Sequence, residues 1–236
     1  MAMKTLTVDV DVSDIDKAMA TVAAKLKEMV AAYQAEATSV LELTGGRPKL
    51  AWGQKVSSTF RDRVWWIADE ITKVQKAFFD ANWLMACIAW ESGESFSASK
   101  KNLAGSGATG LIQFMPSTAL ELAKWRSRQS GKAIVLSTDI LARMTAEDQL
   151  MWVYWYFRMM IAAHGPITNL EDCYMAILWP SAIGDPVSAP LWSKTGRPTT
   201  YRQNSGLDSN KDGTITKREA ANHVQEKLDK GIKLAA

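Results

Sequence analysis

The chain has 236 residues, 47% of them hydrophobic, a formal net charge of +3 and a pI near 8.8. That supports one domain of ordinary size with a real core, plus appendages. No basic run or RNA- or DNA-binding motif points to nucleic acid, and no uncharged apolar stretch approaches the roughly 20 residues that cross a bilayer. The opening MAMKTLTVDVDV lacks an apolar signal core, so no secretory signal is expected. Ten tryptophans are many for this length; they fill cores first, but their faces also stack on sugar rings. The two cysteines, Cys87 and Cys173, each sit in an apolar helical segment and read as buried thiols, without a disulfide framework.

In chain order, Val8, Val10 and Val12 alternate with Asp9 and Asp11, the pattern of a short strand or extended arm. Ser13 to Asp16 resembles a capping box. Ile15, Met19, Val22, Leu26, Met29 and Tyr33 then recur at alternating steps of 4 and 3, a narrow helical seam close to heptad spacing. A helix over 13–43 would lie on the following domain, stand partly free, or bind a partner. Thr44-Gly-Gly-Arg-Pro48 reads as a linker. A second amphipathic helix follows, with Phe60, Val64, Ile67, Ile71, Val74 and Phe78 on one face.

Residues 83–119 are the informative stretch. Asp80 or Asn82 can cap a helix whose run from Trp83 to Trp90 is apolar on every side, so that helix is expected to be buried. Glu91 ends it. A carboxyl in apolar surroundings has its charged form disfavoured, which moves its pKa toward the range of a general acid. A polar, small-residue loop from Ser92 to Gly107 leads to the turn Gly105-Ser-Gly-Ala-Thr-Gly110, whose glycines permit close approach of backbone to a ligand. Gln113 follows as an amide suited to orienting a polar substrate. The bland alternative is an ordinary helix end with an exposed Glu.

After Pro116, Ser117 to Arg126 continues as helix, and Arg126 to Gly131 reads as a basic loop. Thr145 to Asp148 starts a helix through Ala163 that is apolar enough to be central, ended by Gly165-Pro166. Thr168 to Glu171 caps a shorter helix through Leu178. Ser181 to Thr200, rich in Pro, Gly and Ser, is expected to be an ordered loop anchored by Trp192. Helices dominate throughout, so the fold class is all-α or nearly so.

Glu91-Ser-Gly followed by Gly107-Ala-Thr-Gly-Leu-Ile-Gln-Phe-Met-Pro-Ser-Thr-Ala119 resembles the soluble-type lytic transglycosylase domain, most of all its branch in bacteriophage cell-wall lysins and tail-associated lysozymes. The family pattern is Glu-Ser, then Gly-Leu-Met-Gln, then Met-Pro-x-Thr-Ala, and the likeness covers about residues 52–192. Two features depart from it. The loop from Glu91 to Gln113 is a few residues longer than in the bacterial enzymes, and the later Ala-Tyr-Asn block is present only as Tyr174-Met-Ala-Ile-Leu-Trp-Pro180, without its Asn.

The resemblance implies a lysozyme-like helical domain over 47–198, with residues 1–46 as an N-terminal arm and helix. It implies that Glu91 cleaves the β-1,4 bond between N-acetylmuramic acid and N-acetylglucosamine, closing a 1,6-anhydro ring without water. Peptidoglycan strands are the implied partner. Ser92, Gln113, Met115 and Tyr174 would line the substrate, with Asn102 and Ser106 as further hydrogen-bonding candidates in the loop. Glu94, three residues on, is the candidate second carboxylate for a hydrolytic variant. Without a signal, such an enzyme would reach the wall through a holin pore or on the virion, and residues 13–43 could meet a virion protein. A peptidoglycan-binding or virion module with an inert fold is the competing reading.

A second motif lies in residues 199–236. Asp208, Asn210 and Asp212 occupy positions one, three and five of a twelve-residue EF-hand-like loop. Gly213 makes the turn at six, Thr214 would offer its carbonyl at seven, and Glu219 both carboxylate oxygens at twelve. A structural Ca2+ that pins the C-terminal helix is expected, although the stretch before the loop, Thr199 to Leu207, has no clear helical pattern. The bland alternative is a turn leading into that helix, and a Ca2+-responsive protein is the third functional reading.

Overall fold

The computed structural model describes residues 47–102 and 105–236. The expected N-terminal arm, the seam helix over 13–43 and the start of the linker lie outside the described residues. The chain divides into a unit of residues 1–48 and a unit of residues 49–236. The architecture below is that of the second unit.

Eight α-helices and one two-stranded sheet make up its regular structure among the described residues, as the mostly helical sequence pattern predicts. The helices are α1 (Ser58–Gln75), α2 (Ala81–Glu91), α3 (Pro116–Ser130), α4 (Thr138–Ala142), α5 (Ala146–His164), α6 (Leu170–Leu178), α7 (Pro198–Gln203) and α8 (Lys217–Ile232). Strands β1 (Pro190–Ser193) and β2 (Thr214–Thr216) pair antiparallel, with Trp192 opposite Ile215. None of the described helices is long and apolar enough to cross a membrane.

α2 is the axis of the unit. Asp80 caps it by accepting the Asn82 N–H, and Ala81 and Leu84 to Ala89 are all buried. A helix apolar on every side must be covered on every side, and α1, α6 and α8 do this; its most extensive partner is α8. Phe60, Val64, Ile67 and Ile71 of α1 are buried as their spacing predicts, and α1 also packs along α5. Val74, in the last turn of α1, and Phe78, beyond it, are exposed instead; Lys76 turns left-handed (φ 54°) and ends the helix between them. Where a basic loop is expected at Arg126 to Gly131, α3 runs on to Ser130, and Gly131 (φ 67°) closes it. The cap of α6 is Asn169, one residue later than expected, and it accepts the Asp172 N–H.

The C-terminal segment belongs to this core. Trp52 is fully buried and donates from Nε1 to Lys227 O at 2.9 Å. A Cβ added at Gly231 would stand 2.3 Å from the Trp52 ring, so only glycine admits that approach. Leu50 and Ala236 exchange backbone hydrogen bonds, which ties the first strand of chain in the unit to its last residue. Lys217, wholly buried, forms an ion pair with Asp172 of α6 and donates to Asp185 O at 2.8 Å. Thr199 to Leu207, without a helical pattern in sequence, forms the short α7 and a 3-10 turn over Ser205–Leu207. Pro198 at the first helical position starts α7, and Asn204 ends it by donating to Thr200 O.

Candidate active site around Glu91

Glu91 is the last residue of α2, and Ser92 caps the helix end. Its carboxyl has no hydrogen bond or ion pair among the described residues. Burial raises its pKa from 4.5 to about 7. The residue is only partly buried, so it keeps surface open to solvent while protein withholds most of the water that would stabilise its charge. A carboxyl poised near neutrality can give up and regain one proton at pH 7.

Two buried tyrosines feel that carboxyl. Burial first, then the Glu91 charge, pushes the Tyr174 and Tyr156 hydroxyls well above their ordinary pKa. Both therefore stay protonated donors. Tyr174 accepts a hydrogen bond from Trp90 Nε1 at 3.0 Å, and Tyr156 donates to Ala176 O at 2.5 Å. Tyr156 also lines a recess of about 40 Å³ with Ile112, Gln113, Phe114, Met115, Thr118 and Ile177. The recess opens to solvent and has room for water-sized groups. Glu91 does not line it; Tyr156 is the link between the two.

The other expected contacts divide. Met115, 41% exposed, caps α3 beside the recess. Gln113 also lies at the recess, in the left-handed region (φ 52°), where a residue other than glycine is uncommon. Its Nε2 donates to Lys100 O and Gly110 O, so the amide nitrogen holds the loop and only Oε1 remains for a substrate. Ser92 is fully buried and its hydroxyl accepts the Phe96 N–H at 3.0 Å; it shapes the turn and is not a substrate contact. Asn102 and Ser106 are exposed on the loop: the Asn102 N–H donates to Ala108 O, and Ser106 Oγ accepts from Ala108 N.

Glu94 is not a free partner for Glu91. Its two oxygens accept from Lys227 and Lys230 of α8, each at 2.6 Å, and these bonds hold its pKa below the ordinary value. Gly93, Glu94 and Phe96 are all left-handed, and the turn they make carries Glu94 to that face. A different acid acts on one of the same tyrosines. Glu121, exposed on α3, acts on the Tyr156 hydroxyl together with Glu91.

The glycine turn has another reason than ligand approach at Gly110 (φ 90°). A Cβ there would stand 2.2 Å from Gln149 Oε1. Gln149, buried in α5, accepts from Leu111 N and donates to Ala98 O and Leu141 O. One amide therefore ties both ends of the long loop to the core. Sequence reasoning passed over Gln149 and Tyr156 as parts of an apolar helix. The signal available was a polar atom in a segment otherwise committed to the core. Cys87 and Cys173 lie behind the site as free buried thiols, their sulfurs 3.7 Å apart.

The residues of the expected cation loop are gathered, though not all toward one point. Asp208 Oδ2 accepts from Tyr201 Oη (2.6 Å) and Gly213 N (3.0 Å). Asn210 Oδ1 accepts from Asp212 N, and Asp212 Oδ1 from Thr214 N, which opens β2. Gly213 turns at φ 89°. Glu219 is engaged elsewhere: Oε2 accepts from Thr216 N and Oγ1, and Oε1 from Ser209. No three His, Cys, Asp or Glu side chains converge among the described residues. Compared with known proteins, the chain matches no family model and no curated protein.

Proposed function

We propose that the chain is a peptidoglycan-degrading lytic transglycosylase of phage origin, cleaving the β-1,4 MurNAc–GlcNAc bond with Glu91 as general acid and base. One observation carries this: a partner-free carboxyl at the end of a buried helix, its pKa raised to about 7 by burial. The resemblance of residues 91–93 and 107–119 to the transglycosylase pattern supplies the substrate class and the role in lysis or wall penetration. Protonated Glu91 gives its proton to the glycosidic oxygen as the bond to muramoyl C1 breaks. The resulting carboxylate takes the proton of the muramoyl C6 hydroxyl, whose oxygen closes on C1. The proton count balances on one residue, and no water or second carboxylate is consumed. The free Gln113 Oε1 and exposed Met115 would position the sugars, with the Tyr174 hydroxyl as the buried donor behind the acid; the Tyr156 proton is held by Ala176 O.

A hydrolytic muramidase is the second reading. It needs another carboxylate, about 5–5.5 Å away for retention or about 6.5–9.5 Å for inversion. Glu94 is held by two lysines, so the acid to test is Glu121, which shares Tyr156 with Glu91. Digestion of purified peptidoglycan by wild type, Glu91→Gln and Glu121→Gln separates the readings. Loss of fragments with Glu91→Gln alone supports the transglycosylase. Loss with both, together with reducing-end products, supports hydrolysis. Fragments undiminished in Glu91→Gln would refute both.

A further inference from the structure

Asp208 is buried, only 6% exposed, and its Oδ1 has no hydrogen-bond partner. Its other oxygen lies 3.0 Å from the Gly213 N–H across the loop, so the carboxylate head faces the loop interior. A buried carboxylate oxygen without a donor is costly, and native structures satisfy nearly all such atoms. Within the loop the Lys211 N–H also acts on this carboxyl, and it completes no hydrogen bond to Oδ1. The N–H groups of Asp212, Gly213 and Thr214 already serve Asn210, Asp208 and Asp212 in turn. The Lys194 ammonium, whose charge acts on Asp208, sits over the Tyr201 ring at 5.5 Å and forms no ion pair with the carboxylate.

We propose that residues 208–219 bind one Ca2+ and that the ion locks α8 against the end of α2 beside Glu91. Every available donor is an oxygen, from Asp208, Asn210, Asp212, Glu219 and the Thr214 carbonyl, and neither His nor Cys lies in the loop. That set fits a hard, large cation and disfavours zinc. Ligation requires Glu219 to leave the Thr216 N–H and Oγ1 and Ser209 and turn its carboxylate inward. The reciprocal half of the cap, Glu219 N to Thr216 Oγ1 at 3.2 Å, can persist. The ion would then join the start of the loop to the first turn of α8.

What α8 touches gives the lock its consequence. His223 stacks on Trp90 with centroids 4.9 Å apart and planes 7° from parallel. Lys227 and Lys230 grip Glu94. Lys217, just inside the loop, holds Asp172 on α6, two residues from Tyr174. Glu91 thus lies between two residues, Trp90 and Glu94, that α8 fixes directly. β1 braces the loop from outside, with Trp192 opposite the fully buried Ile215.

The proposal stands apart from the peptidoglycan reading, because its readouts are metal binding, melting and amide exchange. The full chain is stripped with chelator, dialysed and titrated calorimetrically with CaCl2, with MgCl2 as control. Asp212→Asn and Glu219→Gln are run beside it, two variants so that failure of one to fold leaves the other. The expected result is one Ca2+ per chain with Kd between about 10⁻⁷ and 10⁻³ M and a melting temperature higher by several degrees. Binding should weaken at least about tenfold in each variant. Hydrogen exchange should slow on Ca2+ addition in α8 and at residues 88–94. Absence of binding up to about 5 mM Ca2+ would overturn the site. Isotherms unchanged by both substitutions would also overturn it, as adventitious binding. Binding that leaves exchange at 88–94 unaltered would overturn the lock.

Discussion

The end of α2 and the loop before α8 each hold a carboxyl that the protein leaves incompletely partnered, and their surroundings drive them in opposite directions. At Glu91 apolar neighbours remove water and supply no donor, so the acid form persists to about pH 7. At Asp208 the Tyr201 hydroxyl and the Gly213 N–H bind one oxygen and hold the pKa below the ordinary value, so the charge persists while the second oxygen stays bare. The first arrangement stores a proton. The second invites a cation. The same contrast separates Glu91 from Glu94, three residues away: two lysines make Glu94 a fixed structural anion.

The largest effect should come from taking the proton away. Glu91→Gln is expected to lower release of soluble muropeptides by about 10²–10⁴-fold with the fold intact, whereas Glu94→Gln should leave release within a few-fold; turbidity clearing of purified sacculi measures both. If Glu94→Gln were the silent enzyme, the contrast between the two acids would be reversed.

Next in size is the buried pair joining α8 to α6. Lys217→Met leaves Asp172 as an unpaired buried charge and should cost about 3–5 kcal/mol in urea unfolding. The double variant Lys217→Met, Asp172→Leu should recover much of that loss, since no charge is then stranded.

The pH dependence of stability tests Glu91 independently of activity. Its pKa is about 7 folded and near 4.5 unfolded. The folded state therefore favours the acid form. Below pH 4.5 both states are protonated and the wild type carries no penalty; as pH rises through 7 it must charge a desolvated group, at a cost of up to about 3 kcal/mol. Glu91→Gln should accordingly gain stability relative to wild type between pH 4 and pH 8, read from urea midpoints. A constant difference across that range would mean the carboxyl is solvated. Activity should fall on the alkaline side, above about pH 7.

The smallest effect concerns the loop scaffold. Gly110→Ala puts a Cβ against Gln149 at a φ of 90° and should destabilise by about 1–3 kcal/mol, measured by thermal melting. An unchanged melting temperature would mean that Gln149 does not tie the loop to the core.

The central helix and its terminal acid were readable in sequence because they depend on local pattern: an uncharged run longer than two turns, a cap at Asp80 and a carboxyl directly after. The stripe of α1 was readable for the same reason up to Ile71, and the two positions that failed lie where Lys76 stops the helix. What did not read out were contacts made across the fold. Nothing in the spacing of Lys217 announces a buried partner 45 residues away, and nothing around Gly110 names Gln149. Glu94 resembled a second catalytic acid, because Lys227 and Lys230 meet it only after α8 folds back on α2. Ser92 shows the cost of carrying a role over with a motif: in this fold its hydroxyl closes a turn. The cation loop was readable by residue type and spacing, whereas the bare oxygen at Asp208 required coordinates.

The most direct test of the account is mass spectrometry of soluble fragments from purified peptidoglycan, wild type beside Glu91→Gln. Products ending in 1,6-anhydromuramic acid, absent from the variant, are the predicted result and would assign the proton transfers to Glu91. Fragments ending in reducing muramic acid, heavier by one water, would contradict the single-acid mechanism and turn attention to Glu121. Anhydro products undiminished in Glu91→Gln would remove Glu91 from the chemistry.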